Sequence, residues 1–154
     1  MLRRTVVVLI ATAAAVTLPS LAGAATGTAH AIRLTERLFQ YTSTGNPPVS
    51  GSNSYVGTSG GRIGKVSVSG TVRGTNVYGG GSTFTGKNTI FDPAGSIRIS
   101  FKATLGAGGA VSASGKFTGG TGKYTGARGK FTFTATQQAG TTFLRVLKGR
   151  IIYP

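Results

Sequence analysis

Phe117-Thr118-Gly119-Gly120-Thr121-Gly122-Lys123-Tyr124-Thr125-Gly126-Ala127-Arg128-Gly129 is the stretch that decides the fold. Five glycines fall within the eleven residues from Gly119 to Gly129. An alternating segment precedes them (Val111 to Phe117) and another follows (Lys130 to Gln138). Glycine admits positive φ and lets strands approach closely. At this density between two strands it predicts a sharp, defined corner.

Working outward, period-two alternation recurs. Ile97, Ile99 and Phe101 alternate with Arg98, Ser100 and Lys102; Phe131, Phe133 and Ala135 alternate with Thr132, Thr134 and Thr136; Val66, Val68 and Val72 alternate with Ser67, Ser69, Thr71 and Arg73. One face is apolar and the other is Thr, Ser, Lys and Arg, as in antiparallel strands with one face in a core. Eight strands are predicted: 32–41, 50–57, 62–73, 82–91, 95–104, 110–118, 128–138 and 142–153. Asp92-Pro93-Ala94-Gly95 and Gln138-Ala139-Gly140 are tight turns, and Gly45-Asn46-Pro47-Pro48 closes the first strand. The glycine-rich 74–81 reads as a mobile lip over one barrel mouth. Short links make sequence neighbours spatial neighbours. The expected fold is all-β: a single eight-stranded antiparallel up-and-down barrel of calycin-like form, because closure removes both exposed edges. A sandwich is the alternative.

The corner also carries a family resemblance. It resembles the F-x-G-G-T-G-x-[FY]-x-x-A-x-G signature of the allene oxide cyclase and dirigent β-barrels, in which Gly119, Gly120, Gly122, Tyr124, Ala127 and Gly129 are the structural positions. Phe91 to Ile99 is similar to that family's strand-turn-strand ahead of the motif, Thr142 to Tyr153 to its last strand, and Tyr41 to Pro48 to the end of its first. The resemblance spans roughly 32–153 and is specific across 91–135. It implies a barrel with a central cavity and a homo-oligomer, a trimer or a dimer. Plant allene oxide cyclases use an acidic residue on the first strand, an Asn two positions later and the turn proline. With Pro47 on that proline, Leu38 stands at the acidic position and Gln40 at the Asn. Dirigent proteins use pocket aspartates, and the only Asp here, Asp92, lies in a turn. No catalytic residue carries over.

The first residues read as an export signal: Arg3 and Arg4, an apolar run from Thr5 to Leu18, then Pro19. Cleavage after Ala24 or after Ala31 fits the small-residue patterns, giving a leader over 1–31 and a barrel domain over 32–154. The apolar run is shorter than the roughly 20 residues of a spanning helix, so no transmembrane anchor is expected. The expected location is extracellular. With no cysteine, the domain relies on packing and a closed hydrogen-bonded ladder, and thiol nucleophiles and thiolate metal sites are excluded. His30 is the only histidine, which leaves no histidine-based metal site and no Ser-His-Asp triad. Neither a metal nor a cofactor is expected. Gly120 to Lys123 does not make a phosphate loop, because Phe117 and Tyr124 stand where Gly and Ser or Thr are required.

Charge is extreme: 17 Lys+Arg against 2 Asp+Glu, a net +15, or +13 without Arg3 and Arg4. Such a field attracts polyanions. The cations are spread, with no basic tail, and no specific nucleic-acid partner is indicated.

Glu36 is the anomaly. It shares strand parity with Ile32, Leu34 and Leu38, so it points inward, where a lone carboxylate is costly unless paired. In a closed barrel the last strand pairs with the first, and Arg145 sits between Phe143 and Leu147 on that strand's inner face. Glu36 and Arg145 are therefore expected to pair and to mark the polar spot of a cavity, with Tyr41, Tyr55, Tyr78 and Phe84 as candidate walls. A purely structural ion pair is the competing reading. Three functions stay open: a binding barrel for a small apolar or aromatic molecule, a cofactor-free cyclase or dirigent-type protein, and a cationic envelope protein that binds anionic polymers. Fold alone does not choose among them.

Overall fold

The computed structural model describes residues 26–46 and 50–154. The expected leader up to residue 25, and Pro47 and Pro48, lie outside the described residues. Eight antiparallel strands close into a barrel in sequence order: β1 (Thr28–Asn46), β2 (Ser50–Ile63), β3 (Val66–Gly79), β4 (Thr83–Asp92), β5 (Gly95–Leu105), β6 (Val111–Gly122), β7 (Arg128–Ala139) and β8 (Thr142–Tyr153). A 3₁₀ turn, Ala107–Gly109, joins β5 to β6. Closure comes from β1 pairing with β8 from Thr28 opposite Tyr153 to Phe39 opposite Thr142. Every strand thus has two neighbours, and the sandwich alternative falls.

Besides Arg62 and Ile63, which were expected to open the third strand but end β2 and pair with Ser67 and Val66, two expectations about element bounds are corrected. The stretch 74–81 is no mobile lip: β3 runs to Gly79 and pairs with both β2 and β4, leaving a short turn at 80–82. Gly74 in this stretch and Gly86 of β4 face close neighbours, whereas Gly79, Gly80 and Gly81 have none within 4 Å. A Cβ on Gly74 would lie 2.5 Å from the Tyr55 hydroxyl, and one on Gly86 would lie 2.2 Å from the Phe101 ring. Gly74 and Gly86 make room for large inward side chains, and Gly80 and Gly81 serve the turn at positive φ. Second, β1 begins at Thr28, ahead of the expected start at Ile32. Thr28 to Ala31 pair with Arg150 to Tyr153, and His30 stacks on the Tyr153 ring at 4.7 Å.

The interior divides into two halves along the barrel axis. One half, toward the β2–β3, β4–β5 and β6–β7 turns, is solid: Leu34, Ile63, Val72, Ile90, Ile97, Leu147 and Ile151 are fully buried there. The glycine-rich corner seals that end. Tyr124 and Ala127 are buried, and the Tyr124 hydroxyl donates to Asp92 Oδ2 at 2.7 Å. Asp92 Oδ1 accepts from the Ala94 amide at 2.7 Å, fixing the neighbouring turn. The other half is hollow.

Candidate functional site

The hollow half is a cavity of about 390 Å³ that opens among the β3–β4, β5–β6 and β7–β8 connections. Its walls differ in chemistry because the inward positions of different strands differ. Phe84, Phe101, Phe133 and Phe143, from β4, β5, β7 and β8, line one side, and Phe101 meets Phe133 edge to face at 4.8 Å. Gln40, Asn53, Asn76 and Tyr78, from β1, β2 and β3, line the other. They form a ladder: Asn53 Nδ2 donates to Gln40 Oε1 and to the Tyr78 hydroxyl, both at 2.9 Å, and Asn76 Nδ2 donates to Asn53 Oδ1 at 2.9 Å. Asn76 Oδ1 is buried with no hydrogen-bond partner.

The floor is polar. Glu36 and Arg145 are directly opposed across the β1–β8 seam and are 0% and 1% exposed. Arg145 Nε donates to Glu36 Oε2, and Nη1 donates to the Tyr55 hydroxyl at 3.3 Å. The Tyr55 hydroxyl is also hydrogen-bonded to the Asn88 side-chain amide. The Asn88 orientation that satisfies its neighbours turns its oxygen to Arg145 Nη1 and Nη2, at 2.6 and 2.5 Å, and its nitrogen to the Lys87 carbonyl at 3.1 Å. The guanidinium lies 5.0 Å from the Phe133 ring centre and 5.8 Å from that of Tyr55. Ring faces and hydrogen-bond acceptors together replace the water that a buried cation gives up. Burial by itself lowers the Arg145 pKa, but the Glu36 carboxylate and the Tyr55 oxygen outweigh it, so the pKa is raised. Glu36 Oε1 and the hydroxyl of Ser59, its partner across the β1–β2 pair, are both buried without a hydrogen-bond partner.

Arg145, Tyr55 and Phe84 thus line the cavity, while Glu36 sits beneath the floor and holds Arg145 from below. Tyr41 does not join them. It is 55% exposed and borders an outer groove with Arg73 and Arg98. Alternation from Glu36 already places residue 41 on the outer face, and a bulge between Gln40 and Thr42 keeps it there. The corner residues Gly119, Gly120, Gly122, Tyr124, Ala127 and Gly129 lie at the sealed end, away from the cavity. Asn53, Asn76 and Asn88 escaped the sequence reading. Their signal was parity: Asn76 is in step with Val72, and Asn88 with Ile90, but glycines at 74 and 86 interrupt the alternation.

Among the described residues, no three His, Cys, Asp or Glu side chains converge. No described helix is long and apolar enough to cross a membrane.

Burial raises the Tyr55 pKa above the ordinary phenol value of 10.0, with the Glu36 charge adding to it and Arg145 opposing. Burial and the Asp92 hydrogen bond push Tyr124 up as well. A phenol with a raised folded-state pKa keeps its proton where the unfolded chain has lost it. Its contribution is complete below 10.0 and is lost as pH rises through the higher folded value. The urea midpoint should therefore fall as pH climbs past 10.0, and Tyr55→Phe should flatten that fall. An unchanged slope in Tyr55→Phe would assign the alkaline loss to other groups.

No family model matches the chain, and no curated protein matches it. Among solved structures it is similar to a pyocyanin demethylase, at 17% identity over 75% of this chain and 99% of that one, with a TM-score of 0.47. A likeness this distant carries no argument about ligand or reaction.

Proposed function

We propose that this chain is an exported barrel that binds one small, flat, largely aromatic molecule in its open half, without turning it over. The observation that carries the reading is the two-sided cavity. A wall of phenylalanines faces a ladder of amides, and the Arg145–Tyr55 pair lies at the bottom. A volume of about 390 Å³ with apolar walls and a few convergent polar groups suits a ligand of one to three rings. Binding is favoured over turnover because the one inward carboxylate is not at the cavity surface. Glu36 is engaged by Arg145 below the floor, and acid–base work needs a group within hydrogen-bond reach of the substrate. The relation to allene oxide cyclase and dirigent barrels belongs to this proposal and rests on the corner motif.

Ala135 lines the cavity from β7 and is the place to test this. The purified protein should bind 8-anilinonaphthalene-1-sulfonate or 2-naphthol saturably, one per chain. Ala135→Phe should fill part of the hollow and weaken both by about tenfold or more. Its melting temperature should stay within a few degrees of the parent. Equal affinity in parent and variant would place the probes elsewhere and overturn the cavity reading. Native mass spectrometry of protein from its own culture medium would then identify the physiological molecule.

A further inference from the structure

The outer face carries a second feature, independent of the cavity. Two cross-strand rows of cations run round the barrel. In the first, Lys116 of β6 is directly opposite Lys130 of β7, which is directly opposite Arg150 of β8. In the second, Lys148 of β8 is directly opposite Arg33 of β1, which is directly opposite Arg62 of β2. Lys87 of β4 and Lys102 of β5 extend the rows the other way, through hydroxyl residues: Lys87 and Lys116 both pair with Ser100, and Lys102 pairs with Ser114, which pairs with Thr132 opposite Lys148. Directly opposed residues have Cα atoms roughly 5 Å apart, and like charges at that spacing repel. Neither acid relieves them. Glu36 is buried inside, and Asp92 is held in the β4–β5 turn by Tyr124 and Ala94.

The rows also have a shape. A shallow trough of about 1020 Å³ crosses β3 to β8 on the outside and is lined by Lys87, Lys102, Lys116, Lys130 and Lys148. Threonine and serine hydroxyls from Thr75, Thr85, Ser100, Ser114 and Thr132 lie between the lysines. Ammonium groups interleaved with hydroxyls are the donor set for phosphate oxygens.

We infer that this belt is the binding track for a flexible linear polyanion, a chain of closely spaced phosphates that follows the trough round the barrel. Curvature favours a flexible chain over a lipid surface. The cations pass from β4 through β8 to β1 and β2, and a flat bilayer would meet only one side of that arc. Binding would replace cation–cation repulsion with cation–phosphate contacts, so the polyanion also stabilises the fold by mass action.

The test uses the purified protein and long-chain inorganic polyphosphate, titrated across a salt series. Lys102→Gln/Lys116→Gln/Lys130→Gln removes three trough cations. Arg37→Gln/Lys65→Gln/Arg73→Gln removes the same charge from outside the trough. The trough variant should bind at least about tenfold more weakly, and its log–log salt slope should be shallower by about 2. The second variant should change affinity by less than about threefold, and polyphosphate should raise the parent's melting temperature more than the trough variant's. Equal losses in the two variants would mean that net charge alone drives binding, which overturns the track. Tighter binding to phosphatidylglycerol vesicles than to polyphosphate at equal phosphate would overturn it in favour of a membrane surface. Because Ala135 lies inside the barrel, failure of this test leaves the cavity reading untouched, and the reverse holds.

Discussion

Arg145→Met should be among the most damaging single changes in the barrel, lowering stability by about 3–5 kcal/mol. The guanidinium is the group through which Glu36, Tyr55 and Asn88 are satisfied. Without it a fully buried carboxylate loses its counter-ion, and one of its oxygens already lacks a partner. Glu36→Gln should cost less, about 1–3 kcal/mol, because the amide oxygen still accepts from Nε and the cation keeps Tyr55, Asn88 and two ring faces. The informative variant is the double one. Replacing a buried ion pair with apolar side chains of similar volume is often neutral. Glu36→Leu/Arg145→Met should therefore recover most of the loss, giving a coupling energy of several kcal/mol in a double-mutant cycle followed by urea unfolding. Losses that simply add would mean the two side chains do not depend on each other. If the double variant is stable yet binds naphthol as the parent does, Arg145 is structural and the amide ladder alone orients the ligand.

That pair also shows what was legible in the sequence and why. Glu36 could be placed inside from strand parity alone, and Arg145 opposite it from the closure of β8 on β1, because in a barrel both follow from alternation and order. The exclusion of Tyr41 was legible by the same rule. The inward Asn76 and Asn88 were not, and the reason is steric. Tyr55 and Phe101 are too large for their level unless the facing positions, Gly74 and Gly86, have no side chain. The glycines that accommodate them erase the apolar–polar rhythm of β3 and β4 and resemble a loop. Nor could the hollow be read from composition. It depends on Ala135, Gly109 and the ladder residues lining one half of the barrel while isoleucines and leucines fill the other. The trough was hidden for a further reason. Its lysines are scattered in the chain and become neighbours only through register.

The corner gives the second large effect, with its control built in. Gly129 sits at φ 126°, and a Cβ there would lie 2.1 Å from the Arg150 carbonyl oxygen, a backbone atom in the β7–β8 ladder that cannot step aside. Gly129→Ala combines left-handed strain with forced separation of two strands and should cost about 3 kcal/mol or more. Gly126, three residues earlier, also has positive φ, 71°, but a Cβ there would meet nothing within 4 Å. Gly126→Ala should cost only the conformational term, about 1–2 kcal/mol. Gly120 and Gly122 behave like Gly129, with Cβ positions 2.2 Å from the Ser96 carbonyl oxygen and 2.4 Å from that of Ala94. The signature read from the sequence fixes glycine at 119, 120, 122 and 129 and leaves 126 open. At 120, 122 and 129 backbone on a neighbouring strand or turn is in the way; at 119 the obstacle is the Arg98 side chain, 2.8 Å from the Cβ position. Thermal unfolding of the two alanine variants side by side decides the point. A large loss at 129 with a small one at 126 makes the motif a steric requirement of the sealed end, whereas equal losses would make it a matter of backbone conformation alone.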